Sequence, residues 1–271
     1  IAAIGEASEM SGESSSRTDI TIPDVQQTLL KALLATGKPV VLVLFNGRPL
    51  AIEWENENVP AILDAWFGGT EAALALSDVL FGDVNPSGKL TMTFPKNVGQ
   101  VPMYYARKNT GRPLLETDTW FQKFKANYLD VDNKPVYPFG YGLSYTDFEL
   151  RDMTMELGKK GYEVSVSVHN TGDRAGREIV QFYIQKPYSQ YAEKNGMEIP
   201  SVELAAFVKT KEIEPGESAR VKIVLGEEAF KSFDAVGRGT YIIDGGTYLV
   251  TAAQDAHRAV NNILMYKMKG G

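Results

Sequence analysis

The sequence predicts an α/β domain with a mostly parallel, incomplete sheet, followed by an all-β sandwich. Three observations carry this expectation. Apolar strand-like runs alternate with helix-like stretches as far as Phe94, the order that builds a parallel sheet between helices. From Phe148 onward, about seven short alternating runs are separated by turn residues, which is the pattern of a sandwich. At 271 residues the chain is long enough for two ordinary domains. The expected division is 1–108 for the α/β part, 109–147 for a connecting segment, and 148–271 for the sandwich.

Ile1 to Ile4 reads as a strand that ends at Gly5. Pro23 to Thr36 reads as a helix: proline suits its first turn, Leu29, Leu30, Leu33 and Leu34 repeat at helical spacing, and Gly37 suits the C-terminal cap. Val40 to Phe45 is a continuous apolar run, as expected of a strand buried on both faces. Ala61 to Phe67 reads as a further strand. Thr70 to Phe81 reads as a helix with Glu71 near its start and Gly82 past its end. Leu90 to Phe94 completes the set as a short strand. These elements are few for a closed α/β domain, and Ile1 falls inside what reads as a core strand. The chain is therefore expected to be the C-terminal piece of a longer polypeptide, with further strands upstream.

Periodicity disappears from Pro95 to Tyr145, where aromatic residues accumulate. A long stretch without regular elements is often functional. Trp120 and Phe121 are candidates to stack on a sugar, and interdomain packing is the competing explanation, because aromatics anchor interfaces. In the last part, Tyr162, Val164, Val166 and Val168 alternate with polar residues as a half-buried strand does. Similar runs lie at Ile179 to Gln185, Val202 to Lys211, Ala219 to Leu225 and Thr247 to Ala253. Asn170-Thr171-Gly172, Glu214-Pro215-Gly216 and Asp244-Gly245-Gly246 punctuate them.

The stretch from Gly5 to Arg17 carries the chemistry. It places Glu6, Glu9 and Glu13, with Arg17, directly after the first strand and before the first helix. Ligands of parallel sheets bind at the carboxyl ends of strands, and a part-buried carboxyl there acquires the raised pKa of a general acid. The same composition also suits a solvated loop whose carboxylates only favour solubility.

Several segments decide between these readings by resemblance. Met10-Ser11-Gly12-Glu13-Ser14-Ser15-Ser16-Arg17-Thr18-Asp19-Ile20-Thr21-Ile22-Pro23 resembles the acid/base loop of glycoside hydrolase family 3, the retaining β-glucosidases and β-xylosidases. Lys38 to Leu44, Ala65-Trp66-Phe67-Gly68-Gly69-Thr70-Glu71, Asp78 to Leu90 and Tyr137 to Thr146 resemble further family segments in the same order. The part after Phe148 resembles the family's fibronectin type III-like domain. The resemblance implies hydrolysis of terminal, non-reducing β-D-glucosyl or related residues with retention, and no metal or organic cofactor. It implies that Glu13 is the acid/base, with Glu6 and Glu9 as rivals. Arg17 is expected to orient Glu13, to bind a substrate hydroxyl, or to pair with Asp19. The nucleophile is an aspartate on a separate N-terminal β/α-barrel, which nothing in this chain resembles, so this chain alone is expected to be inactive. Expected partners are the saccharide substrate, the barrel and a second copy of the chain. Bacterial periplasm or cytoplasm is the expected location. The alternative is a noncatalytic carbohydrate-binding or domain-docking module.

Composition excludes other classes. A formal charge of −6 argues against nucleic acid, which needs a basic surface. No apolar run approaches the length of a membrane span. There is no cysteine, hence no disulfide or thiolate metal site. The two histidines, His169 and His257, both lie in the predicted sandwich, which leaves little from which to build a catalytic triad or a metal site. Gly82 to Lys89 has one residue too many between its glycines for a phosphate loop, and Leu90 stands where that loop has a hydroxyl. Asn85-Pro86-Ser87 contains the proline that forbids glycosylation.

Overall fold

The computed structural model describes residues 1–108, 111–114 and 121–270. They group into two units that are discontinuous in sequence. The first comprises residues 1–84, 92–103 and 128–137; the second comprises 85–91, 104–127 and 138–271.

In the first unit, β1 (Ala2–Gly5), β2 (Val41–Phe45) and β3 (Ala61–Asp64) form a parallel sheet in the order β1-β2-β3. The central β2 buries Leu42, Val43 and Leu44 in succession, which only a strand covered on both faces does. Between β1 and β2 runs helix α1 (Asp24–Ala35), which starts after Pro23 and buries Leu30. A short α2 (Glu53–Asn58) precedes β3. The sequence does not announce it, because its residues are polar; it is held by Glu55, which is buried and accepts a bond from Gln27 Nε2 at 3.1 Å. The third helix, α3 (Ala72–Phe81), ends at Gly82 in the left-handed conformation. None of its residues is buried, and Leu74 and Phe81 are exposed, as are Val25 and Leu29 of α1.

The strand expected over Leu90 to Phe94 does not form. Phe94 makes only an isolated antiparallel bridge to Tyr137, and Leu90 exchanges bonds of 2.8 Å with Tyr141 and Gly140. Thr91 to Thr93 break the ladder between these two points. The apolar character of the segment reflects a local pairing with residues 136–141, not membership of the parallel sheet.

The second unit contains β4 (Phe148–Gly158), β5 (Gly161–Asn170), β6 (Ile179–Gln185), α4 (Gln190–Lys194), β7 (Glu203–Lys209), β8 (Ser218–Leu225), β9 (Ser232–Asp234), β10 (Thr240–Ile242), β11 (Leu249–Ala253) and α5 (Ala256–Met268). Antiparallel sheets β4-β5-β8 and β11-β6-β7 contribute to one core. Val164, Val166 and Val168 of β5 and Val221 of β8 supply one side; Val180, Phe182 and Ile184 of β6 supply the other. This is the sandwich that the alternation predicts. A two-stranded ribbon, β9-β10, stands apart from both sheets. Helix α5 is capped by Asp255, which accepts from the Arg258 N–H at 2.8 Å. Its Ala256, Ala259 and Ile263 pack with Tyr183 and Val202.

The aromatic stretch divides its residues. Tyr105 stacks on Phe139 at 4.1 Å within the second unit, Tyr137 packs edge-on to Phe94 in the first, and Tyr104 and Phe124 are exposed. Among the described residues no helix is long and apolar enough to cross a membrane.

Candidate functional site

The first unit brings three strand ends together. Gly5-Glu6 leaves β1, Asn46-Gly47-Arg48 leaves β2, and Asp64-Ala65-Trp66 spans the end of β3. Gly5 lies at φ 140, and a Cβ there would come 1.9 Å from the Phe45 carbonyl oxygen. Only glycine permits β1 and β2 to approach so closely where the loop departs. Gln26 of α1 seals this exit, accepting from the Gly5 N–H at 2.7 Å and donating to its carbonyl at 3.0 Å.

Glu6 follows at once and is buried, its side chain without exposed surface. Arg17 Nη1 bonds Glu6 Oε1 at 2.9 Å, Arg48 Nε lies 3.0 Å from the same oxygen, and the Gly47 N–H donates to Oε2 at 3.1 Å. A carboxylate taken out of water is tolerable only when paired and hydrogen-bonded in this way. Arg17 also donates to the Thr21 carbonyl at 3.1 Å. Its bonds therefore run to Glu6 and Thr21, a pairing that the sequence does not suggest. Asp19 accepts instead from the hydroxyl and N–H of Thr21, which draw its pKa down.

Arg48 extends the fastening. Its Nη2 donates to the Ser15 carbonyl at 2.8 Å and to that of Met10, and its own carbonyl accepts from Asn46 Nδ2 at 2.9 Å. Both flanks of the segment Met10 to Ser15 are thereby tied to the residue after β2. Inside it, the Ser15 N–H bonds the Gly12 carbonyl at 3.3 Å, and Gly12 and Ser14 lie at φ 112 and φ 62. This tight turn presents Glu13, which is exposed. Glu9 is exposed as well, and the Ser8 hydroxyl, donating at 2.8 Å, draws its pKa down.

Asp64 is the strained member of the group. Burial pushes its carboxyl up to about 6, against the Trp66 N–H and the Asn46 side chain, which pull the other way. Neither neighbour reaches hydrogen-bonding geometry: both Asp64 oxygens and Asn46 Oδ1 are buried without a partner. Trp66 lies at φ 50, costly for a bulky side chain, and its ring meets Phe94 edge-on at 5.8 Å.

Of the residues singled out from the sequence, Glu6 and Arg17 are joined directly, Glu9 and Glu13 share the loop, and Phe121 is 38% exposed in the second unit. Trp120 lies outside the described residues. Asn46, Gly47, Arg48 and Asp64 were missed. The usable signal was positional: each follows or closes a parallel strand at the same sheet end as Glu6.

Outside this site, Lys89 forms a buried ion pair with Glu178 at 2.9 Å and bonds the Gly142 carbonyl at 2.7 Å. Its charge is thus committed within the fold, away from any phosphate. His169 is half-buried and His257 exposed, and among the described residues no group of His, Asp or Glu side chains could hold a metal ion.

Comparison with known proteins agrees with this architecture. Residues 1–145 match the profile of the Glycosyl hydrolase family 3 C-terminal domain, and residues 178–256 that of a fibronectin type III-like domain. A periplasmic beta-glucosidase of Salmonella typhimurium is 46% identical over 235 residues, covering 85% of this chain and 30% of the relative. A beta-xylosidase of Formosa agariphila is 38% identical, covering 90% of this chain and 33% of the relative. The crystal structure of a β-glucosidase from Listeria innocua with glucose superposes with a TM-score of 0.85 at 38% identity, covering 94% of this chain and 34% of that one. A Bifidobacterium adolescentis GH3 β-glucosidase gives 0.74 at 29% identity, covering 93% of this chain and 36% of that one. The chain thus spans about a third of the length of the relatives it matches.

Proposed function

We propose a function for a chain that belongs to glycosyl hydrolase family 3: it is part of a retaining β-glycosidase acting on terminal non-reducing β-glucosyl or related residues, and Glu13 is its general acid/base. The observation that supports this most directly is the loop itself. Arg48 ties Met10 and Ser15, and the turn between them holds one carboxylate, Glu13, out to solvent. A general acid must reach a glycosidic oxygen, and the exposure of Glu13 supports this role.

The rivals suit the role less well. Glu6 has both oxygens engaged and no exposed side-chain surface, so it holds the loop and does not meet substrate. Glu9 has its pKa drawn down by the Ser8 hydroxyl, opposite to what a general acid needs near neutral pH. Retention requires a second carboxylate about 5–5.5 Å from the first as nucleophile. The family resemblance implies that it lies on a β/α-barrel outside this chain. Glu13 would protonate the departing oxygen in the first step and deprotonate water in the second. The periplasm is the favoured location, by analogy with the Salmonella relative's name.

The test is Glu13→Gln in the enzyme that contains this chain. Glycosides with poor leaving groups should lose about 10²–10⁴-fold in rate, as for a missing general acid. Activated aryl glycosides should lose far less, and azide should rescue them. Equal losses without rescue would move the assignment to Glu9 or Glu6. This chain by itself should not hydrolyse an aryl β-glucoside, since one carboxylate cannot run a double displacement. Turnover that copurifies with the chain alone and is lost in Glu13→Gln would overturn the two-domain site.

A further inference from the structure

The turn that holds Glu13 is fastened at its flanks by Arg48, and beside the Met10 flank it rests on a separate contact. Ser11 lies directly on Gly47: a Cβ at Gly47 would come 2.0 Å from Ser11 Oγ, 2.7 Å from Ser11 Cβ and 2.9 Å from Phe67 Cε2. Gly47 itself is outside the left-handed region, so its backbone would accept alanine and only the neighbouring atoms exclude a side chain. Phe67 follows Trp66, whose backbone lies at φ 50. Strained backbone of this kind persists where the surroundings over-determine it and where position matters. Phe67, 45% exposed, thus stands as a wall beside Ser11, and Gly47 is the floor.

We infer that Gly47 and Phe67 are positioning residues that set, through Ser11, where the turn bearing Glu13 points. The inference rests on the glycosidase reading above. The physical argument is one of distance. Gly12 and Ser14 flank Glu13 in left-handed conformations, so the carboxylate is carried on a short turn closed by the Gly12–Ser15 bond and held at its flanks by Arg48. Whatever moves Ser11 moves Glu13, two residues on. A misplacement of about 1 Å at a reacting group costs about 100-fold in rate.

The experiment compares Gly47→Ala with Glu13→Gln in the enzyme that contains this chain, over aryl glycosides graded by leaving-group acidity. Gly47→Ala should reduce kcat by about 10- to 100-fold for poor leaving groups. Activated ones should be reduced only a few-fold, and KM should be nearly unchanged. Adding Ser11→Gly, which removes the two closest colliding atoms, should restore most of the loss. Phe67→Ala, which takes away the wall without adding bulk, should give the same graded loss and covers the case in which Gly47→Ala fails to fold. A loss equal across leaving groups, or no recovery with Ser11→Gly, would show a purely structural role and overturn the inference. If Glu13→Gln shows no grading by leaving group, the acid/base reading fails and this inference falls with it. If only the Gly47 and Phe67 variants lack grading, the acid/base reading stands and this inference alone is lost.

Discussion

Asp64→Asn should stabilise the first unit near neutral pH and have little effect in acid. The Asp64 carboxyl sits at about 6, above its ordinary 3.8, because burial disfavours its charge. Its two oxygens find no hydrogen bond, and neither does Asn46 Oδ1. Below the unfolded value both states are protonated and this group adds no pH dependence. Between the two values the folded state binds a proton that the unfolded state has released, so stability falls as pH rises. Above about 6 the folded state carries an unpaired buried charge and the loss is complete. The gap between the two values is worth about 3 kcal/mol as an upper limit. In the variant an amide Nδ2 can also donate to Asn46 Oδ1, which removes one orphaned acceptor. Urea unfolding, followed by hydrogen exchange at the amides of β2, would measure the difference between variant and parent at about pH 4 and about pH 7.5. The difference should grow by about 2–3 kcal/mol over that interval. Other carboxylates titrate in both proteins and cancel. A difference that does not change with pH, or that grows towards acid, would refute the assignment of a raised, unpartnered Asp64.

Glu6→Gln should cost the first unit about 3 kcal/mol, at the lower end for a broken buried ion pair because Arg17 and Arg48 keep 17% and 22% of their side chains exposed. Glu13→Gln should stay within about 0.5 kcal/mol of the parent in the same denaturation experiment, separating the loop's anchor from its exposed carboxylate. Asn170→Ala should destabilise the sandwich by about 2–4 kcal/mol, since the amide accepts from Thr146 and Gly172 and donates to the Arg174 and Ile213 carbonyls; exchange of the β5 amides would report it. Lys89→Met should cost about 3 kcal/mol by leaving Glu178 buried and unpaired. Adding Glu178→Met should recover most of that loss in thermal melts, and a double variant as unstable as the single one would show that the pair is needed as a charge pair.

The core strands were legible because their patterns report burial, and α1 and α3 were legible from helical spacing and the glycines that follow them; α5, in a part that reads as all-β, was not. Val41 to Phe45 is apolar throughout and lies at the centre of the sheet; Val164, Val166 and Val168 alternate and face the sandwich core. Elements held by polar contacts were not legible. Nothing in Glu53–Asn58 signals a helix until Glu55 is seen buried against Gln27. Leu90 to Phe94 misled, because an apolar run cannot say whether its partner is a sheet or a passing segment.

The candidate site divides in the same way. The sequence by itself determined the family, the strand-to-loop junction after Gly5 and the presence of three nearby carboxylates, because these depend on residue order within a short stretch. By resemblance it put Glu13 first among them, with Glu6 and Glu9 as rivals, but it could not say what each carboxylate touches. Only the tertiary structure decided that Glu6 is the anchor, by bringing Arg48 and Gly47 from a loop some forty positions along the chain, 41 residues in the case of Gly47, to its two oxygens. Asp64 likewise acquired its raised pKa from burial at the end of β3 and not from any charged neighbour in sequence. A carboxylate's role follows from what surrounds it in space, and a parallel sheet builds those surroundings from strand ends far apart in the chain.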